Sequence, residues 1–142
     1  MGKGLTAKAS MATNAPADRV WDALVNPAAI KMYMFGTNVV SDWEKGSSIL
    51  WKGEWKGKTY QDRGIILQLK PRQLLQYSHY SPLSGLPDLP ENYHTVTVEL
   101  SSEGKRTNVT LSQDNNATED ERTHSRKNWE AMLTALKSFV EQ

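Results

Sequence analysis

The chain has 142 residues, of which 38% are hydrophobic and 23% charged, and we expect residues 1–142 to form a single globular domain. Its 17 basic and 16 acidic residues are interspersed along the chain, which argues against nucleic acid as a partner. No apolar run is long enough to predict a membrane span. The chain contains no cysteine and its N-terminus lacks a secretory pattern, so we expect a cytoplasmic protein without disulfides.

The first part of the chain predicts one strand followed by two short helices. Apolar and polar residues alternate over residues 5–11, as in a strand with one buried face. Apolar residues then recur at helical spacing over residues 17–24, with Asn14 as the expected helix cap. Pro27 can open a second helix, and Gly36 is its expected end.

The middle of the chain predicts consecutive strands in an antiparallel meander. Short turn signals separate the apolar runs, at Lys45-Gly46, Lys56-Gly57 and Lys70-Pro71. Residues 95–100 and 107–112 alternate clearly and should form a hairpin. Three prolines interrupt residues 81–92, which predicts an unusually long connection of the kind that often covers a site.

The segment "SILWKGEWKGKTYQDRG", residues 48–64, concentrates aromatic residues in one short stretch. Trp51 and Trp55 share one parity, which places both side chains on the same, inner face of a strand. Gly53 lies between them and either leaves a gap on that face or permits a bend. Residues 65–69 do not alternate cleanly, which indicates either a bulge or a strand covered on both sides.

The last element is a long amphipathic helix. Thr118 and Glu121 form a capping box before it. An apolar stripe at three- and four-residue spacing occupies its second half, whereas its first half is polar; the stripe consists of Trp129, Met132, Leu133, Leu136 and Val140. The sequence therefore predicts an α+β fold, in which a curved antiparallel sheet of six or seven strands wraps around the C-terminal helix.

Several segments together resemble a known superfamily over nearly the whole chain. They include "ATNAPADRVWDALVNPAAIKMYMFG", "RGIILQLKPRQLLQYS" and "NWEAMLTALKSFV". In order and spacing they are similar to the SRPBCC superfamily of START-like, helix-grip domains. Within it, the chain resembles the branch named after the C-terminal domain of the activator of the heat-shock protein 90 ATPase. The resemblance implies a cavity between the long helix and the sheet, used across the superfamily for lipids, hormones, polyketides and other apolar ligands, but no single activity.

The aromatic residues of this expected cavity allow two interpretations. An empty apolar cavity of about 300 Å³ would cost on the order of 7 kcal/mol, so large side chains or a ligand must fill it. In the first interpretation the side chains fill the interior themselves. In the second they line a pocket with a polar end, and the candidate ligand-binding residues are Trp51, Trp55, Tyr77, His79, His94, Gln113, Arg122, Trp129 and Met132.

Binding of a small hydrophobic or amphipathic molecule is therefore the function that the sequence favours, and catalysis is left open. His94 could act as an acid or base, with Asp62 or Tyr77 nearby, but we assign no catalytic residue. No metal-ligand spacing or phosphate-binding loop is present, so we expect neither metal nor cofactor. The alternatives are a regulator of heat-shock protein 90 that acts through its surface, and a cyclase-like enzyme. An edge strand or residues 32–35 would suit a homodimer, and residues 32–35 could equally form the mouth of a cavity.

Overall fold

The computed structural model describes residues 4–142, apart from the side chain of Trp55. Two single-turn 3-10 helices, Pro82–Ser84 and Pro90–Asn92, lie in the proline-rich connection. The main elements follow in the order β1 (Leu5–Thr13), α1 (Ala17–Leu24), α2 (Pro27–Tyr33), β2 (Asn38–Ser41), β3 (Ser48–Trp55), β4 (Lys58–Lys70), β5 (Leu74–His79), β6 (His94–Glu103), β7 (Arg106–Asn116) and α3 (Glu119–Val140).

The seven strands form one sheet in the order β1-β7-β6-β5-β4-β3-β2, and all neighbours are antiparallel. Strands β2 to β7 are a meander, and β1 joins its far edge beside β7. The curved sheet, the two short helices after β1 and the long C-terminal helix confirm the predicted α+β helix-grip fold. None of the described helices is both long and apolar enough to cross a membrane.

The core lies between the inner face of the sheet and the second half of α3. The predicted apolar stripe of α3 is buried from Met132 onward, while Trp129 at its start is half-buried. Inward-facing strand residues meet this stripe, among them Ile66, Val96, Val109 and Leu111, which are fully buried. The first half of α3 is polar and more exposed, as its sequence predicts. One end of the interface between helix and sheet is therefore accessible to solvent.

Two features of the long strands decide which residues face the core. The register between β4 and β5 shifts between Ile66 and Gln68, which confirms the bulge interpretation of this segment. Trp51 is buried on the inner face as predicted. Gly53 pairs with Tyr60, and a Cβ at Gly53 would lie 2.6 Å from the Tyr60 hydroxyl oxygen. The predicted gap is therefore covered by the Tyr60 ring, which the glycine accommodates.

Polar contacts fix both ends of α3. The Thr118 hydroxyl accepts from the Glu121 amide at 3.1 Å, as the capping box predicts, and the Glu121 carboxylate accepts from the Ala117 amide at 2.6 Å. At the other end, Glu141 Oε2 accepts from the Thr13 hydroxyl at 2.7 Å and from the Asn14 amide at 3.2 Å. These two bonds join the end of β1 to the end of the helix.

The expectation that Asn14 caps α1 is wrong. The N-cap residue is Pro16, whose ring offers no hydrogen-bond acceptor. Asn14 lies two residues further back, where its amide binds Glu141. The helical spacing of α1 alone gave the start of the helix to within a few residues, but could not show which tertiary contact Asn14 makes.

The contact between Glu141 and β1 predicts an acid-sensitive contribution to stability. The hydrogen bonds from Thr13 and Asn14 lower the pKa of the Glu141 carboxyl below its ordinary value of 4.5. A group whose pKa is lower in the folded state stabilises the fold above its unfolded-state pKa, and this contribution is lost as the pH falls through the folded value. We expect Glu141→Gln to lower the urea midpoint slightly at pH 7, and the difference from wild type to shrink below about pH 4. Glu130→Gln, on the exposed surface of the same helix, should leave the midpoint unchanged at both pH values.

Candidate functional site

Polar side chains occupy the inner face of the sheet near the beginning of α3. Asp62 pairs with the inward-facing Trp51, and His79 pairs with His94. Gln113 pairs with the fully buried Val96. Residues paired across antiparallel strands share a face. Four successive strands, β4 to β7, therefore each contribute one polar side chain to a row beneath the polar half of α3.

His79 is held between a carboxylate and an aromatic ring. Its Nε2 lies 2.8 Å from Asp62 Oδ2, and its ring packs edge-on against Trp51 with a centroid distance of 5.0 Å. The side chains of His79 and Asp62 are 26% and 17% exposed. The second carboxylate oxygen, Asp62 Oδ1, is buried and accepts no hydrogen bond from any described residue. The negative charge of Asp62 is thus only partly compensated by its neighbours.

His94 hydrogen-bonds the main chain. Its Nδ1 lies 2.8 Å from the main-chain carbonyl oxygen of Asp114, and its hydrogen-bond partner is neither Asp62 nor Tyr77. The His94 ring is 6.3 Å from the His79 ring. The two imidazoles therefore lie side by side, each oriented by an oxygen of its own.

Gln113 links the sheet to α3. Its Oε1 accepts a hydrogen bond of 2.6 Å from the Trp129 indole N–H. Its amide nitrogen lies 3.4 Å from the Ser125 hydroxyl and 3.5 Å from Asn116 Oδ1. The half-buried indole therefore has its partner within the protein, and Trp129 is held in a fixed position over the sheet.

An open groove of about 590 Å³ lies between this row and α3. Apolar side chains from α3 and from the segment after α2 form its walls, and His79, His94 and Gln113 of the polar row form one end. Its lining consists of Met34, Phe35, Thr37, His79, His94, Gln113, Ser125, Asn128, Trp129, Ala131 and Met132. A neighbouring opening of about 660 Å³ shares Phe35 and Asn128 with the groove and extends to Asp62 and to Leu83 of the proline-rich connection.

The interior beneath Trp129 is almost completely filled. The space enclosed there is about 30 Å³, roughly the volume that one water molecule takes up in the liquid. Trp51 and Tyr77 pack against one another beside it, with ring centroids 5.0 Å apart. Burial raises the pKa of the Tyr77 hydroxyl far above its usual range. Among the described residues, side chains therefore fill the deep part of the grip, and the larger open space lies at its solvent-facing end.

The predicted site residues divide into four groups. His79, His94, Gln113, Trp129 and Met132 line the groove. Trp51 and Tyr77 lie in the interior behind it. Arg122 is on the first turns of α3, where its 40% exposed side chain pairs with Glu119 and does not line the groove. The side chain of Trp55 lies outside the described part of the structure.

Some groove residues come from outside the regular apolar patterns. The sequence offered residues 32–35, which include Phe35, as a dimer contact or a cavity mouth, and the structure places Phe35 at the groove. Phe35 is 75% exposed and adopts a positive φ of 58°, just before Gly36. An aromatic residue in a loop next to a glycine was the available signal. Ser125 and Asn128 come from the polar half of α3, at the solvated end of its interface with the sheet, and the sequence did not mark Asn128 as a site residue.

The arrangement is suited to hydrogen bonding with a bound molecule. Within residues 4–142, as described, no group of three or more histidine, aspartate and glutamate side chains is placed to hold a metal ion. The groove combines an apolar wall with two histidines that the fold holds in place. This can bind and orient a molecule that has both an apolar body and a polar group.

Comparisons with known proteins identify the family. The chain is similar in structure to ChR145 of Cytophaga hutchinsonii, with 59% identity, 99% of this chain and 97% of that chain covered, and a TM-score of 0.87. Two further structures share the fold: CV1439 of Chromobacterium violaceum (19% identity, 96% and 97% covered, TM-score 0.78) and the Aha1 dimer of Colwellia psychrerythraea (18% identity, 96% of each chain covered, TM-score 0.75). No curated protein matches the sequence. The family model described as Activator of Hsp90 ATPase homolog 1-like protein matches residues 14–141, and the chain belongs to this family.

Proposed function

We propose that the protein binds a small hydrophobic or amphipathic molecule in the groove between α3 and the sheet. The observation that carries this proposal is the groove itself, whose volume of about 590 Å³ falls within the range of about 300 to 1,000 Å³ typical of small-molecule sites. Apolar walls and a few convergent polar groups are the usual composition of such sites. Because the enclosed interior has a volume of only about 30 Å³, the ligand would lie at the mouth of the grip.

The exposed ring of Phe35 supports the same site. A bulky residue in the left-handed region is an outlier that costs about 1 to 2 kcal/mol. Phe35 has this conformation while its ring is largely exposed at the groove. The end of α2 imposes this conformation, because the Gly36 amide donates to the Lys31 carbonyl at 3.0 Å as the helix terminates. A bound apolar molecule would cover the ring and remove its contact with water.

A groove-filling substitution tests this proposal. As a probe for the unidentified ligand we choose 2-methoxynaphthalene, an uncharged aromatic molecule with one polar atom. We expect Ala131→Phe to weaken its binding at least about fivefold, since the added ring would occupy the space the ligand needs. Ala28→Phe, at an exposed alanine of α2 away from the groove, should leave the affinity unchanged. Binding would be followed by two-dimensional ¹H–¹⁵N NMR, and the shifts should cluster at His79, His94 and Trp129.

The natural ligand can be sought in the purified protein by extraction with organic solvent and mass spectrometry. The proposal is contradicted if the extract contains no bound molecule and neither 2-methoxynaphthalene nor related naphthalenes with a hydroxyl or carboxylate group shift a groove resonance. Equal affinity in wild type and Ala131→Phe would place any binding site elsewhere.

The family assignment supports two further partners. A homodimer is suggested by the dimeric Aha1 of Colwellia psychrerythraea, and heat-shock protein 90 by the family description. A chaperone contact would use the outer surface and leave the groove free, so Ala131→Phe should not affect it. A chain without cysteine needs no oxidising compartment, which supports a cytoplasmic setting.

A further inference from the structure

The two histidines of the groove have defined protonation patterns in their neutral forms. A carbonyl oxygen can only accept, so the hydrogen bond from His94 to the Asp114 carbonyl requires the hydrogen on Nδ1. Similarly, a carboxylate can only accept, so the contact of His79 with Asp62 Oδ2 requires the hydrogen on Nε2. The remaining nitrogens, His94 Nε2 and His79 Nδ1, then carry a lone pair and act as acceptors.

These two acceptors are available to a ligand. Neither nitrogen has a hydrogen bond to a described residue. Among the described side chains, Asp62 Oδ1 is the single buried nitrogen or oxygen atom without a partner, so neither imidazole nitrogen is sealed from solvent. The third polar group, Gln113, uses its oxygen for Trp129 and its amide nitrogen for Ser125 and Asn116.

The charge at this end of the groove also favours a ligand group that donates a hydrogen bond over an anionic group. Asp62 is negative, and its Oδ1 receives no hydrogen bond from a described residue. The residues that line the groove in the described part of the chain include no lysine or arginine. A carboxylate ligand would meet two acceptors and a negative charge, whereas a hydroxyl would find an acceptor for its hydrogen.

We infer that the ligand is an aromatic molecule with a hydroxyl group, which donates its hydrogen to His94 Nε2. This inference rests on the proposed function, and it adds the chemical class of the molecule bound. The rings of Trp129 and Phe35 provide aromatic contacts for the ligand body. Asp62 is a positioning residue, which fixes the tautomer of His79 and supplies the negative potential that excludes carboxylates.

Three probes of similar shape test the class of ligand at pH 7.5. 2-Naphthol has a hydroxyl donor, 2-methoxynaphthalene lacks the donor, and 2-naphthoate is an anion. One net hydrogen bond corresponds to about a two- to tenfold change in affinity. We expect 2-naphthol to bind wild type about threefold or more tighter than the methyl ether, and the naphthoate to bind most weakly. Affinities would be measured by NMR titration.

His94→Phe retains an aromatic ring and removes the acceptor. The ratio between the methyl ether and naphthol dissociation constants should fall to about one in this variant, whereas Thr134→Phe, at an exposed residue of α3 that lines neither the groove nor the neighbouring opening, should keep the wild-type ratio. A ratio within one variant is insensitive to a change in its stability, so partial destabilisation does not confuse the result. Long-range ¹H–¹⁵N spectra of the neutral imidazoles should also place the hydrogen on His94 Nδ1 and on His79 Nε2.

Different results would contradict the hydroxyl inference and the proposed ligand-binding function. Equal binding of naphthol and its methyl ether, an unchanged ratio in His94→Phe, or tightest binding of naphthoate would overturn the hydroxyl inference alone. A hydrogen on Nε2 of the neutral His94 imidazole in the free protein would do the same. If none of the three probes shifts a groove resonance, the proposed ligand-binding function fails as well.

Discussion

Gly64→Ala is expected to lower the free energy of unfolding by at least about 3 kcal/mol, or to prevent folding, because a backbone atom occupies the place of the new side chain. A Cβ at Gly64 would lie 1.7 Å from the carbonyl oxygen of Ser78 and 2.6 Å from its carbonyl carbon. The two strands cannot separate easily. Arg63 and Tyr80 exchange main-chain hydrogen bonds of 3.0 and 2.8 Å, and the Ile65 amide donates to the Ser78 hydroxyl at 2.9 Å.

Gly46→Ala is the matched control for this substitution. Gly46 has a φ of +89°, and no heavy atom lies within 4 Å of a Cβ built there. Its replacement should cost about 1 to 2 kcal/mol through backbone strain alone. Urea unfolding followed by tryptophan fluorescence would compare the two. A loss at Gly64 no larger than that at Gly46 would show that the strands can shift to accept the Cβ.

The element order and most buried faces could be predicted from the sequence because they depend on local periodicity. The spacing of Met132, Leu133, Leu136 and Val140 identifies one face of a helix wherever that helix packs, and the structure buries all four. Strict alternation of apolar and polar residues likewise identified the inward faces of β6 and β7, which form the predicted hairpin. These predictions agree with the structure because the spacing of the apolar residues matches the repeat of the helix or strand that contains them.

The partners of the polar residues could not be predicted, because they depend on strand register. His79 contacts Asp62 from the neighbouring strand, 17 residues away in sequence, across a pair of strands whose register shifts between Ile66 and Gln68. A one-residue change in register exchanges the two faces of a strand. No local pattern marks the size of that shift, so the sequence could group Asp62 with His94 but could not show that His79 is the residue that binds Asp62.

Whether the interior is filled by side chains or hollow could not be predicted from the sequence either. Trp51, Tyr77, Trp129 and Met132 were assigned to one site, but the structure places the first two around a space of about 30 Å³ and gives the groove only the last two as lining. A filled interior and a hollow one place the same residues on the same faces of their strands and helix. Side-chain packing in three dimensions decides between them.

Met132→Ala is expected to convert the filled interior into a binding cavity. Met132 is 6% exposed and lines both the enclosed space of about 30 Å³ and the open groove. Removing its side chain should lower the free energy of unfolding by about 2 to 5 kcal/mol, the usual range for such a truncation. It should also join the two spaces. An apolar cavity of this kind stays dry and binds small apolar molecules, so naphthalene should raise the melting temperature of the variant more than that of wild type.

Leu133→Ala separates the gain in binding from the loss in stability. Leu133 is 1% exposed and neighbours Met132 on α3, but it lines neither the enclosed space nor the groove. Its truncation should destabilise by a similar amount, with no greater stabilisation by naphthalene than in wild type. Thermal unfolding of the three proteins, with and without naphthalene, measures both effects. Equal stabilisation of the two variants would mean that Met132 does not close the interior, and that the groove ends where the polar row meets Trp129.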